Sequence, residues 1–262
     1  MRETASQGLL PVNATLAGAL LILLFIAATV AAVLRLSLDG SYRRAREIVA
    51  AGARATAQLA LVSLILGWVL HHGWVLFAFL FLMFAVATRT AGRRITSNAT
   101  WWWAALPIAT PVVPVVAGLT LSGLLPVRGI AMIPVTGILI GGALTATVTA
   151  GRHALDELDS RHCEFEAYLA LGFLPRASRI EVARPSASEA LLPGLDQTRT
   201  VGLVTLPGAF VGMLLGGASP LTAGAVQLFV LVALMAVQAL SVAVTVELIA
   251  RSKLNRSAVK TL

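Results

Sequence analysis

Apolar stretches closed off by short arginine clusters leave this chain one class of fold. Seven of them, at about 14–34, 56–71, 73–88, 101–125, 129–150, 200–217 and 221–250, are long enough, or nearly so, to cross roughly 30 Å of hydrocarbon. Mean hydropathy is +0.86, and few residues remain for soluble domains. The expected fold is therefore all-α: a polytopic membrane protein of about seven transmembrane helices.

Orientation follows from the charges. Arg35, Arg43, Arg44, Arg46 and Arg54 lie between stretches one and two, and Arg89, Arg93 and Arg94 between three and four. Arg152, Arg161, Arg176, Arg179, Arg184 and Arg199 lie between five and six, and Arg251, Lys253, Arg256 and Lys260 form the tail. Only Arg2 and Arg128 fall on the other side. The positive-inside rule then puts the N-terminus outside and the C-terminus in the cytoplasm, as a multi-pass protein of the plasma (inner) membrane. The net charge of +8 is a topology signal. No soluble basic face exists to make it a nucleic-acid footprint. The first stretch lacks a net positive leader, because Glu3 offsets Arg2, and it runs into a basic flank; it reads as a retained helix. The single cysteine, Cys163, excludes an intrachain disulfide.

Proline and glycine break the later stretches. Pro107, Pro111 and Pro114 share one face of stretch four, Pro134 and Gly137 interrupt stretch five, and Pro207-Gly208 interrupt stretch six. Such breaks free backbone carbonyls that need protein or water, and they recur along transport paths. Gly208, Gly212 and Gly216 form a small-residue ridge, as do Gly137 and Gly141. Membrane-embedded charge is nearly absent: Glu247 sits at i,i+4 spacing from Arg251 near the cytoplasmic interface. The deep polar groups are Gln58, Gln227, Gln238 and scattered threonines. A missing central carboxylate weighs against an ion-coupled carrier.

The chain divides into helices one to five (1–151), a cytoplasmic block (152–199), helices six and seven (200–250) and a tail (251–262). Within the block, 153–171 reads as an amphipathic helix that Gly172 and Pro175 turn into a second one. Pro185 interrupts that second run, and Ser186 to Glu189 has capping-box spacing for a last helix. The outcome is a helix–turn–helix elbow able to take force from a soluble partner.

Glu166-Ala167-Tyr168-Leu169-Ala170-Leu171-Gly172, followed by Ile180, resembles the EAA-xxx-G signature of ABC-transporter permeases. Thr200-Val201-Gly202-Leu203-Val204-Thr205-Leu206-Pro207-Gly208, with Asp196 before it and Gly212 and Pro220 after it, is similar to the signature of the FetB (YbbM)-type iron-export permeases. Ile133-Pro134-Val135-Thr136-Gly137, Arg54-Ala55-Thr56-Ala57-Gln58-Leu59 and Gln227 resemble further elements of that family, whose relatives include plant permeases of aluminium tolerance. The likeness runs from about residue 40 to 250. It departs at Gly141-Gly142, where the family tends to have Gly-Asn, and at Arg184-Pro185 in a segment that is usually plain helix.

The resemblance implies a permease homodimer clasped by two copies of a separate ATPase, which binds the ATP and Mg; this chain would carry no cofactor of its own. Glu166, Ala167, Gly172 and Arg176 would couple to the ATPase. Pro134, Gly137, Thr200, Gly202, Pro207, Gly208, Gly212, Gln58 and Gln227 would serve gating or translocation. The implied direction is export, of iron or another metal. The first lysine is Lys253, so no Walker A loop lies in the body of the chain, and the chain is not expected to be an enzyme by itself. His153, Glu157, His162 and Cys163 are candidate metal ligands whose spacing matches no specific motif. Two other readings stay open: a permease for a small organic or sugar-nucleotide substrate, and an ATP-independent channel or scaffold.

Overall fold

A computed structural model describes residues 14–35, 42–69, 73–125 and 129–256. Arg2, Arg128 and Lys260 lie outside these residues. The described chain is helical throughout apart from turns, and six of its helices are long and apolar enough to cross a membrane. The protein is an all-α, multi-pass membrane protein. Its contacts divide it into two units, Met1–His71 and His72–Leu262.

The first unit is a pair of helices, α1 (Ala14–Val33) and α2 (Arg43–Val69). Leu24 of α1 lies against Gly52 of α2, where any larger side chain would meet its methyl groups. Ala31 is the one residue of α1 that is buried. At the start of α2, Glu47 pairs with Arg43 and Arg44 at 3.2 and 2.8 Å. This helix begins well before the apolar stretch does, because those ion pairs extend it through its basic first turns.

The second unit packs around two long helices. α3 (Gly73–Ile95) leads through a 3-10 helix (Ala99–Ala104) into α4 (Ala105–Leu121). Then come α5 (Gly129–Ser160), α6 (His162–Ala170), α7 (Pro175–Ser188), α8 (Leu192–Thr200), α9 (Gly208–Leu215) and α10 (Pro220–Ala250). α10 touches α4, α5, α7, α8 and α9, and α5 also packs on α3 and α7. Lipid is as apolar as leucine, so tight fit between backbones must hold such helices together. The core accordingly runs on small residues: Ala91, Ala104, Ala143, Ala146, Ala150 and Ala154 are fully covered. Gly92 faces the Trp101 carbonyl, Gly142 faces Leu234, and Gly151 faces Ile95.

Three expectations are corrected here. Stretch six, 200–217, is no continuous helix: α8 ends at Thr200, residues 201–207 turn, and α9 is only 8 residues long. Among the described residues six helices are long and apolar enough to cross a membrane, and 200–217 is not one of them. The amphipathic run 153–171 is divided at Arg161, and its first half belongs to α5, which continues unbroken from the membrane to Ser160. Pro185 does not interrupt α7, and the Ser186–Glu189 spacing starts no helix; α7 runs through both to Ser188 and a 3-10 turn follows. Ala183 and Ala187 are buried on one side of this segment and hold it against α5 and α10, which outweighs the one backbone bond that proline removes. The three prolines of α4 also leave it continuous, with Pro107 and Pro111 buried and Pro114 exposed.

Candidate functional site

Most of the arginines of the second unit gather at one end. Arg93 lies over Trp101, 5.5 Å from the ring centroid, and Lys253 lies over Trp103 at 5.6 Å. Tryptophan paired with cations is the signature of a membrane–water boundary. Asn98 stitches the boundary to the chain terminus, donating to the backbone and side-chain oxygens of Asn255, each at 2.8 Å. Thr96 donates to the same Asn255 carbonyl at 2.7 Å, and Asp156 pairs with Arg256.

α6 and α7 lie beside this end, against α5 and α10. α6 has no buried residue. It closes with a Schellman motif: Gly172, at φ +88°, donates to the Leu169 carbonyl, and Phe173 to that of Tyr168, both at 3.0 Å. The Tyr168 and Phe173 rings meet edge to face at 5.3 Å, the apolar contact such a motif favours. Pro175 then opens α7. Leu171 (76% exposed) and Leu174 (75%) stand out at the tip with Phe173, and Glu166 is exposed beside them.

Arg176, the first residue after that proline, ties the elbow to α10. Its guanidinium holds Glu247 in a two-pronged pair at 2.6 and 2.9 Å, and Arg251 binds the same carboxylate. The Glu247 hydrogen bonds push the Arg176 guanidinium above its ordinary value. Arg179 donates to the Ala250 carbonyl at 3.1 Å and lies over the Phe165 ring of α6 at 5.4 Å. The i,i+4 pairing of Glu247 with Arg251 is present as the spacing predicts. Arg176, 71 positions away, is the partner that spacing could not reveal.

From Arg176 onward, α7, α8 and α9 each pack on α10. Ala183 and Ala187 share a cluster with Val242 and Val246. Gly194 abuts the Gln238 side chain, which also approaches Gly142 of α5. Phe210 approaches Gly224. Between them, Val201, Gly202, Leu206, Pro207 and Phe210 line a cavity of about 170 Å³ with Gln227 and Leu231. Gln227 is buried, and its carbonyl oxygen has no hydrogen-bond partner. An unpaired buried carbonyl costs free energy, so its place beside a cavity marks a point where a ligand or water would be favoured.

The turn itself is closed by its own backbone. The Thr200 carbonyl faces the amides of Leu203, Val204 and Thr205 at 3.3, 2.9 and 3.2 Å. Gly202, at φ +83°, donates to the Thr205 carbonyl at 2.8 Å. A branched residue at that left-handed position would be strained. The Thr200 hydroxyl caps back to the Asp196 carbonyl at 2.8 Å.

The structure thus brings Gly202, Pro207 and Gln227 to one cavity, with Thr200 anchoring the turn. Pro134 lies elsewhere, on a cavity of about 540 Å³ shared with Leu119, Met213 and Phe229. Gly137 lies under Met83 of α3. Gly208 and Gly212 face open space, so the small-residue ridge is unpacked within the chain. Gln58 is exposed on α2, in the other unit.

The metal candidates do not converge. His153 faces the Ser186 carbonyl at 3.4 Å and Glu189 at 3.8 Å, and Glu157 pairs with Arg161. His162 pairs with Glu166 at 3.4 Å, and the Cys163 thiol is exposed. Among the described residues no three metal-binding side chains come together.

The UPF0014 profile, that of an uncharacterised protein family, matches residues 15–254. The chain is 34% identical over 200 residues to "Protein ALUMINUM SENSITIVE 3" of Arabidopsis thaliana, covering 75% of this chain and 71% of that one. It is 34% identical over 211 residues to "UPF0014 membrane protein STAR2" of Oryza sativa subsp. japonica, covering 79% and 72%. Against "Probable iron export permease protein FetB" of Escherichia coli (strain K12) the identity is 27% over 199 residues, covering 75% and 77%. No solved structure matches the chain.

Proposed function

The chain belongs to the UPF0014 family of membrane proteins, and from that premise we propose that it is the permease subunit of an ATP-driven exporter of iron or another metal. A separate ABC-type subunit binds ATP and Mg, and two copies of the permease pair in the plasma (inner) membrane. The basic end of the second unit faces the cytoplasm, in keeping with the charge rule.

One observation carries this reading: an exposed apolar elbow is bolted to α10 through Arg176 and Glu247. Leu171, Phe173 and Leu174 offer the ATPase an apolar knob, with Glu166 and Ala167 on the preceding helix turn. A push on that knob moves α7 against the end of α10. Because α7, α8 and α9 each pack on α10, the displacement travels to the turn at Gly202–Pro207 and the cavity beside Gln227. That turn is where the sixth crossing can bend without breaking an intrahelical ladder. The metal is cargo, passed along the path without a resident ligand cluster.

The test is a gentle-detergent pull-down of tagged chain beside Glu166→Arg and Gly172→Leu variants. Recovery of a stoichiometric ATP-binding protein by the parent and its loss from the variants supports the reading. Correctly inserted parent that recovers no ATPase overturns it in favour of a channel or scaffold. Iron-stimulated ATP hydrolysis by the reconstituted pair tests the cargo.

A further inference from the structure

We propose that the outward face of α8, carrying Asp196 and Arg199, is a water-lined seam at mid-membrane that a second copy of this chain closes. The inference rests on the paired-permease reading and assigns the face that pairs.

Depth comes first. Glu247, held between Arg176 and Arg251, marks the boundary at the basic end. Gln238 lies nine positions earlier on α10, about 14 Å deeper at the helical rise. Half the hydrocarbon thickness is about 15 Å. Gly194, which abuts Gln238, is therefore near the midplane, and Asp196 and Arg199 follow it within one and a half turns, so this proposal moves the end of the block expected in the cytoplasm (152–199) into the membrane.

Direction comes next. Gly194 is the buried residue of α8 and faces α10. At 100° per residue, Asp196 and Arg199 point about 160° and 140° away from it, outward from the bundle. Their side chains are 67% and 70% exposed, and among the described residues they pair with each other, at 3.5 Å. Gln197 is exposed beside them. Ionic side chains at this depth are costly unless they face protein or water.

The turn that follows closes its own backbone bonds on the Thr200 carbonyl and exposes the apolar Leu203 (93%) and Val204 (78%). It is therefore the ion pair that argues against lipid as the cover of this face.

The occupant follows from charge. A carboxylate and a guanidinium one turn apart on the same face form a self-complementary pattern, as a two-fold contact requires. Two such faces side by side give a ring of two carboxylates and two guanidiniums, each able to pair across the seam. Gly208 and Gly212, open on the next helix, let a second backbone come close just beyond it. A cation passing the ring would replace a guanidinium at a carboxylate and restore it on leaving, so the seam holds no net charge when empty.

Thiol chemistry in native membranes tests this. With Cys163→Ser removing the sole cysteine, Leu192→Cys puts a thiol on the outward face of α8 and Phe81→Cys one on the exposed middle of α3. In opened vesicles, Leu192→Cys is expected to react with a charged, membrane-impermeant methanethiosulfonate within about tenfold of the rate of the parent's Cys163. It should also give a disulfide-linked dimer on mild oxidation, while Phe81→Cys does neither. Adding Asp196→Arg should abolish the dimer, and the exchange Asp196→Arg with Arg199→Asp should restore it, which separates pairing from misfolding. A Leu192→Cys thiol as unreactive as that of Phe81→Cys, or a labelled thiol with no dimer, overturns the proposal. These readouts need no ATPase. Recovered ATPase without the dimer sinks the seam alone, and a dimer without ATPase sinks the permease reading alone.

Discussion

The two ends of the second unit are built differently. At the basic end, α3, α5, α7 and α10 are locked by Asn98 and Asn255, by the Arg176–Glu247–Arg251 cluster and by a core of alanines. At the other end, α9 stands on a self-closed turn, two cavities separate it from its neighbours, and the Gln227 carbonyl has no partner. Hydrogen bonds and close packing are dense where force would enter and sparse where a path would open. A stiff handle joined to a loose end transmits displacement, whereas uniform packing would absorb it.

The contrast can be broken from the stiff side first. Gly92→Leu drives a side chain into the Trp101 backbone, and overpacking of this kind costs about 1–3 kcal/mol or more. The expected outcome is a large fall in the melting temperature of the detergent-purified protein. Gly118→Ala, toward the loose end of α4, meets nothing within 4 Å and should leave melting unchanged. Equal sensitivity at both positions would remove the contrast altogether.

Next in size is Asn98→Ala. It removes two bonds to Asn255 and the side-chain cap on Thr100, a loss of about 1–3 kcal/mol. Hydrogen exchange should rise across 95–104 and 251–256 together and stay unchanged in 208–215. Glu247→Gln is milder for stability, because both its arginine partners are more than half exposed. Its effect should fall on coupling: ATPase still binds, but cargo-stimulated hydrolysis drops several-fold while melting hardly moves. Smallest is Gln227→Leu, which replaces an unsatisfied carbonyl with apolar volume. Melting should be unchanged or slightly higher, by up to about 1 kcal/mol, with transport reduced in vesicles.

Much of this was legible beforehand, and the elbow shows why. Gly172 and Pro175 specify a left-handed stop and a proline start through local sterics alone, and both occur as expected. Glu247 with Arg251 is equally local. Stretch six forms no single helix, and a hydropathy window cannot show this because it averages over 200–217 and is blind to how backbone bonds are shared. Thr200 and Gly202 fold the chain into a turn that the same apolar composition conceals. The capping-box spacing at Ser186 failed for the opposite reason: burial of Ala183 and Ala187 extended α7 past a local stop signal.

The sequence by itself determined the all-α membrane class and the helix stop and start at Gly172 and Pro175. Each depends on transfer free energies or backbone sterics within a few residues. Only the tertiary structure decided that Arg176 grips Glu247, that Gln238 lies between Gly142 and Gly194, and that Gly202, Pro207 and Gln227 share a cavity. Those depend on which glycine meets which helix, and in a lipid medium that is set by the fit of surfaces far apart in the chain, with no hydrophobic pattern to announce it.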